Sequence, residues 1–373
     1  MPFPRSLLLA GTAALGLAAC THQAPETVVA MNQIQVIGTH NSYHAGIAPQ
    51  ESVLWKKTHP EQYAALDYRH QPLTAQLSAG VRQVELDVYA DSRGGLYAHP
   101  AGPGLVAQAG LPADPPFDPD HVMDRPGFKV MHVQDLDYRS TCQPFTRCLA
   151  EIRAWSQAHP GHVPVFILLE TKEEALSSLP FPTVTPEALT PASLDALDAE
   201  ILSVFKADEI ITPDQVRGTA ATLNAAVREH GWPSLEAARG KVVFLLDQKK
   251  ITARYLDGHP SLKGRVAFTN AEAGTDDAAF IEMNDGPANA IAALVRQGYL
   301  VRTRSDADTK EARANDTRRR EMALISGAQI VSTDYPASEP AASGFVVALP
   351  DGLAARCNPV TAGPGCVSAR LDR

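Results

Sequence analysis

Glu85 and Asp87 lie two positions apart in Gln83-Val84-Glu85-Leu86-Asp87-Val88-Tyr89, and at the two-residue period of a β-strand both carboxylates project from one face. Two carboxylates turned toward a common interior repel each other and lose solvation, so their burial demands a positive partner. A metal ion would serve, as would an ion pair with an arginine such as Arg82. Glu170 closes the most apolar run of the chain, Val163 to Glu170, and Lys172 follows two positions later on the same face. Asn41 adds an amide oxygen where the apolar run Ile34 to Ile37 turns at Gly38. Asn41, Glu85, Asp87 and Glu170 together make an all-oxygen set with three negative charges. Such a set suits Ca²⁺, which takes roughly six to eight oxygens, better than Zn²⁺.

Two histidines stand beside this set. His40 ends the first apolar run and His132 ends Lys129-Val130-Met131-His132. A divalent ion flanked by two imidazoles is a kit for displacement at phosphorus, where charge must be neutralised and the leaving oxygen protonated. Taken alone, His40-Asn41-Ser42 also fits an ordinary polar turn. Arg302 and Arg304 follow a later strand-like run, where barrel loops often hold phosphate, and either could bond a phosphate or hydroxyl pair in two-pronged fashion. The alternative there is a solvated charged turn. Asp247 and Asp334 also end strand-like runs and are candidates to touch a ligand. His44 and His99 are candidate supporting partners, whereas Arg318-Arg319-Arg320 reads as an exposed helical face, and Tyr43 and Tyr335 as packing.

These residues need a scaffold that brings strand ends together. Strand-like runs occur at 34–38, 83–89, 129–133, 163–170, 241–247, 265–269, 299–303 and 328–332. Helical patterns lie between several of them, at 145–158, 191–205, 220–230, 288–297 and 309–326, with capping residues near several starts and glycine after several ends. Eight strands alternating with helices predict an α/β protein, a TIM-like (β/α)8 barrel, with a doubly wound sheet as the alternative. Two stretches break the alternation, 94–128 and 177–190, and are expected as long surface loops. The chain holds no internal repeat, and after Asp334 it turns rich in Pro, Gly and Ala.

The chain opens with Arg5, an apolar run, and Leu17-Ala18-Ala19-Cys20. This is the pattern of a secretory signal, and its end resembles a lipobox, which predicts lipidation of Cys20. An ordinary signal peptide cut elsewhere is the alternative, and both export the protein. The expected divisions are a signal at 1–20, a tether at 21–31, a catalytic barrel at 32–335 and a C-terminal extension at 336–373. Four cysteines remain, and three pairings are possible. Local pairs, Cys142 with Cys148 and Cys357 with Cys366, are favoured because each clamps one loop. The 373 residues are 45% hydrophobic, enough for a sizeable core, and the net charge of −9 argues against general nucleic-acid binding.

His40-Asn41-Ser42-Tyr43, Val84-Glu85-Leu86-Asp87, Val130-Met131-His132 and Ile167-Leu168-Leu169-Glu170 resemble, in order, the four strand-end motifs of Ca²⁺-dependent phosphoinositide-specific phospholipase C, in its bacterial exported branch. The resemblance runs from about Asn32 to Tyr335. It implies Asn41, Glu85, Asp87 and Glu170 as Ca²⁺ ligands, with His40, His132 and Glu85 as the catalytic groups. Lys172 is the nearest cation for a headgroup phosphate, with a salt bridge to Glu170 as the alternative, beside Arg302 and Arg304 as candidate substrate contacts. The implied reaction cleaves the glycerol–phosphate ester of phosphatidylinositol at a membrane surface, giving diacylglycerol and a cyclic or opened inositol phosphate. A glycerophosphodiester phosphodiesterase shares the Glu-x-Asp strand but opens with His-Arg-Gly where this chain has His40-Asn41-Ser42. A non-catalytic surface lipoprotein that binds polyols or glycans is the alternative of another class.

Overall fold

The computed structural model describes residues 1–2, 28–177 and 179–373. The expected signal, lipidation at Cys20 and most of the expected tether lie outside the described residues. Packing against the barrel has begun by Met31, which is fully buried and whose amide donates to the Pro233 carbonyl.

Ten strands form one sheet: β1 (Ile34–Thr39), β2 (Gln83–Tyr89), β3 (Lys129–Val130), β4 (Val165–Lys172), β5 (Val242–Leu246), β6 (Ala267–Phe268), β7 (Phe280–Glu282), β8 (Leu300–Arg304), β9 (Ile330–Thr333) and β10 (Ala355–Cys357). Eight of them run parallel in the order β6-β5-β4-β2-β1-β9-β8-β7. A parallel bridge between Asn270 and Phe280 brings the two ends together, so the sheet curls into a nearly closed barrel. The staves are apolar and buried along most of their length, as parallel strands covered by helices require.

The count of eight staves agrees with expectation, but one stave differs. The run at 129–133 supplies only β3, which pairs antiparallel with the end of β2 and stands outside the parallel order. Its place is taken by β7, three residues long, which pairs with β8 in the register Phe280↔Leu300 and Glu282↔Arg302. β10 lies antiparallel on the first half of β1. Beside it the Cys357–Cys366 disulfide closes the C-terminal extension, and Cys142–Cys148 clamps the start of the helix Phe145–Ala158, so both local pairs form.

Helices fill more of the connections than the sequence pattern implies. Pro49–Thr58, Pro60–Leu66 and Leu73–Ser78 lie between β1 and β2, and the expected loop at 94–128 contains the helix Ala101–Gln108. The pattern at 309–326 breaks into Lys310–Ala314 and Arg318–Ile325. Gly38 has a specific steric reason. It pairs with Gln83 across β1 and β2, and a Cβ there would meet the Gln83 side chain at 1.9 Å.

Candidate active site

Register places the first pair of carboxylates. In the β2–β4 ladder Asp87 pairs with Glu170, and laterally paired residues of a parallel sheet project to the same side. Glu85 lies two residues back along the same face. The result is a cluster in which one oxygen from each of Glu85, Asp87 and Glu170 lies within 4.8 Å of the others. Asp87 and Glu85 are buried, while Glu170 is half-buried at the barrel mouth.

Arg82 is not the counter-ion. It points out of the barrel to Asp372 and lies over Trp155. Two other cations serve. Lys172 Nζ stands 3.0 Å from Asp87 Oδ2 and 2.6 Å from Glu170 Oε1. Arg302 donates to Glu85 Oε2 at 2.6 Å, Glu282 Oε1 at 2.8 Å, Asn284 Oδ1 at 2.7 Å and Ser332 Oγ at 3.2 Å. Since β1 and β9 separate β2 from β8 in the sheet, the Arg302–Glu85 bond crosses the barrel interior. Arg302, expected against a ligand, is thus 2% exposed and committed beneath the carboxylates. Arg304 sits higher, with a guanidinium nitrogen 3.4 Å from Asp334 Oδ2 and no hydrogen-bond partner for its Nε among the described residues.

The first turn is tied to β2 by its serine. Ser42 Oγ accepts the Glu85 amide at 2.8 Å, and the Ser42 amide donates to the Glu85 carbonyl at 3.0 Å. This fixes Asn41 in a left-handed conformation, φ 47°, which asparagine tolerates better than most residues. The Asn41 amide donates to the Tyr68 hydroxyl at 2.9 Å, and its Oδ1 accepts only a long 3.4 Å bond from Tyr43. Tyr43 in turn lies near enough to Asp87 and Glu170 for both to raise its hydroxyl pKa, after burial. Asn41 lies between His40, whose Nε2 is 3.7 Å from Glu85 Oε1, and Ser42, which bonds the Glu85 backbone, so the turn that carries it borders the carboxylate cluster.

The two histidines are held alike. His40 Nδ1 is 2.8 Å from Asp334 Oδ1, which leaves its Nε2 3.7 Å from Glu85 Oε1. His132 Nδ1 is 2.8 Å from Asp137 Oδ2, which leaves its Nε2 without a hydrogen-bond partner among the described residues. Behind burial and Lys172, the charges of His132 and His40 both favour the ionised form of Glu170. Burial, then Arg304 and Arg302, hold His40 well below the usual histidine pKa. Burial raises Glu85 to about 7 against the pull of Arg302, and burial followed by Glu170 keeps Asp87 well above the usual carboxylate range.

Asp334 is thus a partner of His40. Asp247, raised to about 10 by burial and by Glu282, borders the cluster. His44 is fully buried beside Asp137, whereas His99 is exposed in the 94–128 insertion. Tyr43 and Tyr335 are buried in the core. Three residues here were not anticipated: Asp137, Tyr68 and Glu282. Asp137 carried one faint signal, an acidic residue a short turn beyond His132; Tyr68 and Glu282 carried none.

The fit to a cation follows from the donors. Both Asp87 oxygens are buried and neither receives a well-directed hydrogen bond, although Lys172 is close enough for an ion pair. Unsatisfied buried carboxylate oxygens beside two more carboxylates and an amide oxygen make a hard, oxygen-only site of the kind Ca²⁺ takes.

Comparison with known proteins bears on this site. Residues 29–359 match the family model described as phosphoinositide phospholipase C, Ca²⁺-dependent. No curated protein sequence matches significantly. Among solved structures, a calcium-dependent phosphoinositol-specific phospholipase C from Pseudomonas sp., apo form, superposes with a TM-score of 0.52 at 15% identity, covering 90% of this chain and 97% of that one. A myo-inositol complex of the Pseudomonas enzyme gives 0.52 and 15%, covering 89% and 96%. A Ca²⁺-dependent phosphatidylinositol-specific phospholipase C from Streptomyces antibioticus gives 0.50 at 19% identity, covering 82% and 95%. These structural likenesses establish a shared barrel fold.

Proposed function

This chain belongs to the Ca²⁺-dependent phosphoinositide phospholipase C family, and from that membership we propose that it cleaves the glycerol–phosphate ester of phosphatidylinositol, releasing diacylglycerol and inositol cyclic phosphate, which water can then open. The family match favours this over glycerophosphodiester cleavage and over a non-catalytic binding role. The observation that carries it is the convergence of Glu85, Asp87 and Glu170 between two histidines, each anchored through Nδ1 by a buried aspartate.

Asn41, Glu85, Asp87 and Glu170 would hold the Ca²⁺ of this family, which when bound neutralises charge on the phosphoryl oxygens. Glu85, with its pKa near 7, is suited to accept the proton of the inositol 2-hydroxyl as its oxygen bonds to phosphorus. The bond from phosphorus to the glycerol oxygen breaks, and His132, as the imidazolium with Nδ1–H on Asp137 and Nε2–H toward the site, supplies the proton that oxygen needs. His40, whose Nδ1 lies against Asp334, turns Nε2 toward the phosphate and can donate to a phosphoryl oxygen only as the imidazolium, with N–H on both ring nitrogens. Arg304, partly buried beside Asp334, and Lys172 are the cations for the phosphate; Arg302 acts from below by keeping Glu85 in place.

The Leu17-Ala18-Ala19-Cys20 stretch and the two disulfides support an exported, lipid-anchored protein. No helix among the described residues is long and apolar enough to cross a membrane. The function is tested by product analysis on a panel of phospholipids with and without a calcium chelator. Phosphatidylinositol should yield diacylglycerol and inositol cyclic phosphate only with Ca²⁺; release of glycerol phosphate, or no turnover of any inositol lipid, would refute the proposal.

A further inference from the structure

A third histidine belongs to the same apparatus without touching the cluster. His44 is fully buried, and its Nε2 lies 2.9 Å from both Asp137 carboxylate oxygens. Asp137 is likewise buried, and its Oδ2 stands 2.8 Å from His132 Nδ1. The two imidazole rings are 6.2 Å apart, nearly perpendicular, with the carboxylate between them. Among the described residues, no other side chain donates a hydrogen bond to this carboxylate.

We propose that His44 is a positioning residue for His132, acting through Asp137. The inference rests on the phospholipase reading above for the role of His132, but its geometry stands independently. A carboxylate held from one side can swing about its Cβ–Cγ bond. Held from two sides, its plane is fixed, and so is the ring that donates to it. Asp137 also sits in a tight loop, exchanging backbone hydrogen bonds with Val133 at 2.9 and 3.0 Å, so its own backbone has little freedom. The bond to His132 Nδ1–H keeps Nε2 turned to the site, where it carries the lone pair in the neutral ring and the transferable N–H in the imidazolium.

His44 is itself enclosed. The Tyr68 ring packs at 4.7 Å and the His132 ring lies at 6.2 Å, and Asp137, then Asp334, are the charged side chains that act on it. The dyad of Asp137 and His132 is completed from behind by a buried donor whose one charged hydrogen-bond partner among the described residues is that aspartate. A purely space-filling residue at position 44 would leave half of a buried carboxylate without a donor.

The test uses the full chain with ¹⁵N-labelled histidine. With the pH raised until the ring is neutral, nitrogen shifts in the wild type should place the His132 proton on Nδ1, with His132→Ala identifying the signals. His44→Gln keeps one N–H donor; His44→Leu has none. The leucine variant should lose roughly 10- to 100-fold in kcat, with KM and the Ca²⁺ dissociation constant within about twofold of wild type, and should shift His132 toward the Nε2–H tautomer. The glutamine variant should recover most of both. A folded leucine variant with wild-type kcat and an unchanged His132 tautomer overturns the proposal. If the leucine variant fails to fold, the glutamine variant and Asp137→Asn decide: the first should keep the tautomer and the second reverse it, and an unchanged tautomer in Asp137→Asn overturns the proposal. Should the wild type turn over no phospholipid, the tautomer measurements still judge the positioning chain by themselves.

Discussion

Asp87 and Glu170 are register partners on adjacent parallel strands, and the Lys172 ammonium bridges them at 3.0 and 2.6 Å. The ammonium therefore offsets part of the negative charge that a cation would use. Lys172→Met should tighten Ca²⁺ binding by roughly tenfold, because a positive charge within a few ångströms of the ion is removed. The same substitution should reduce kcat/KM if the ammonium turns to the phosphate once the ion holds Asp87 and Glu170. Calcium titration calorimetry and initial rates separate the two effects.

Protons should leave when the ion enters. Burial raises Glu85 to about 7 and keeps Asp87 above its usual range, so near neutral pH the cluster holds protons that a ligated carboxylate must release. Calcium affinity should thus rise with pH through about 7, and calorimetry in buffers of different ionisation enthalpy should register proton release. The sign for stability is the opposite. A carboxylate whose folded pKa exceeds its unfolded value stabilises the fold below the unfolded value and loses that contribution as pH rises through the folded one. The melting temperature of the metal-free chain should fall between pH 5 and 8 on this account, and saturating Ca²⁺ should flatten the decline.

Arg302 is the keystone beneath the cluster. Its removal leaves Glu85 and Glu282 buried without a counter-charge. Arg302→Met should cost about 3–5 kcal/mol, the usual penalty for breaking a buried ion pair from one side. Urea unfolding of the metal-free chain reads the loss directly, and Ca²⁺ should restore part of it.

The His132 loop is held by both insertions through one residue. Asp135, with φ 69°, accepts the Ala101 amide at 3.0 Å on one carboxylate oxygen and the Val184 amide at 2.6 Å on the other. Asp135→Ala should lower stability by roughly 1–3 kcal/mol and raise amide exchange across 131–138. Activity should fall through kcat, since the loop carries His132 and Asp137.

Most of the metal cluster was legible because strand periodicity and charge burial are local. Glu85 and Asp87 share a face by spacing alone, and Glu170 declares itself as a charge ending an apolar strand. What sequence could not convey was register. Only the Glu282↔Arg302 pairing shows that Arg302 points down into the barrel, and β7 is too short at three residues to stand out from its polar flanks. Conversely, Val130, Met131 and Val133 look like a buried stave, yet β3 pairs antiparallel on the end of β2. Asp137 and Tyr68 reach the site from loops, where no period links a residue to its partner.

The most direct measurement is a crystal structure grown with Ca²⁺. A single ion should appear with oxygen ligands from Asn41, Glu85, Asp87 and Glu170 at roughly 2.3–2.6 Å, and with His40 and His132 on either side of the open coordination face. An ion bound elsewhere, or a Lys172 ammonium that still bridges Asp87 and Glu170 at saturating Ca²⁺, would contradict it.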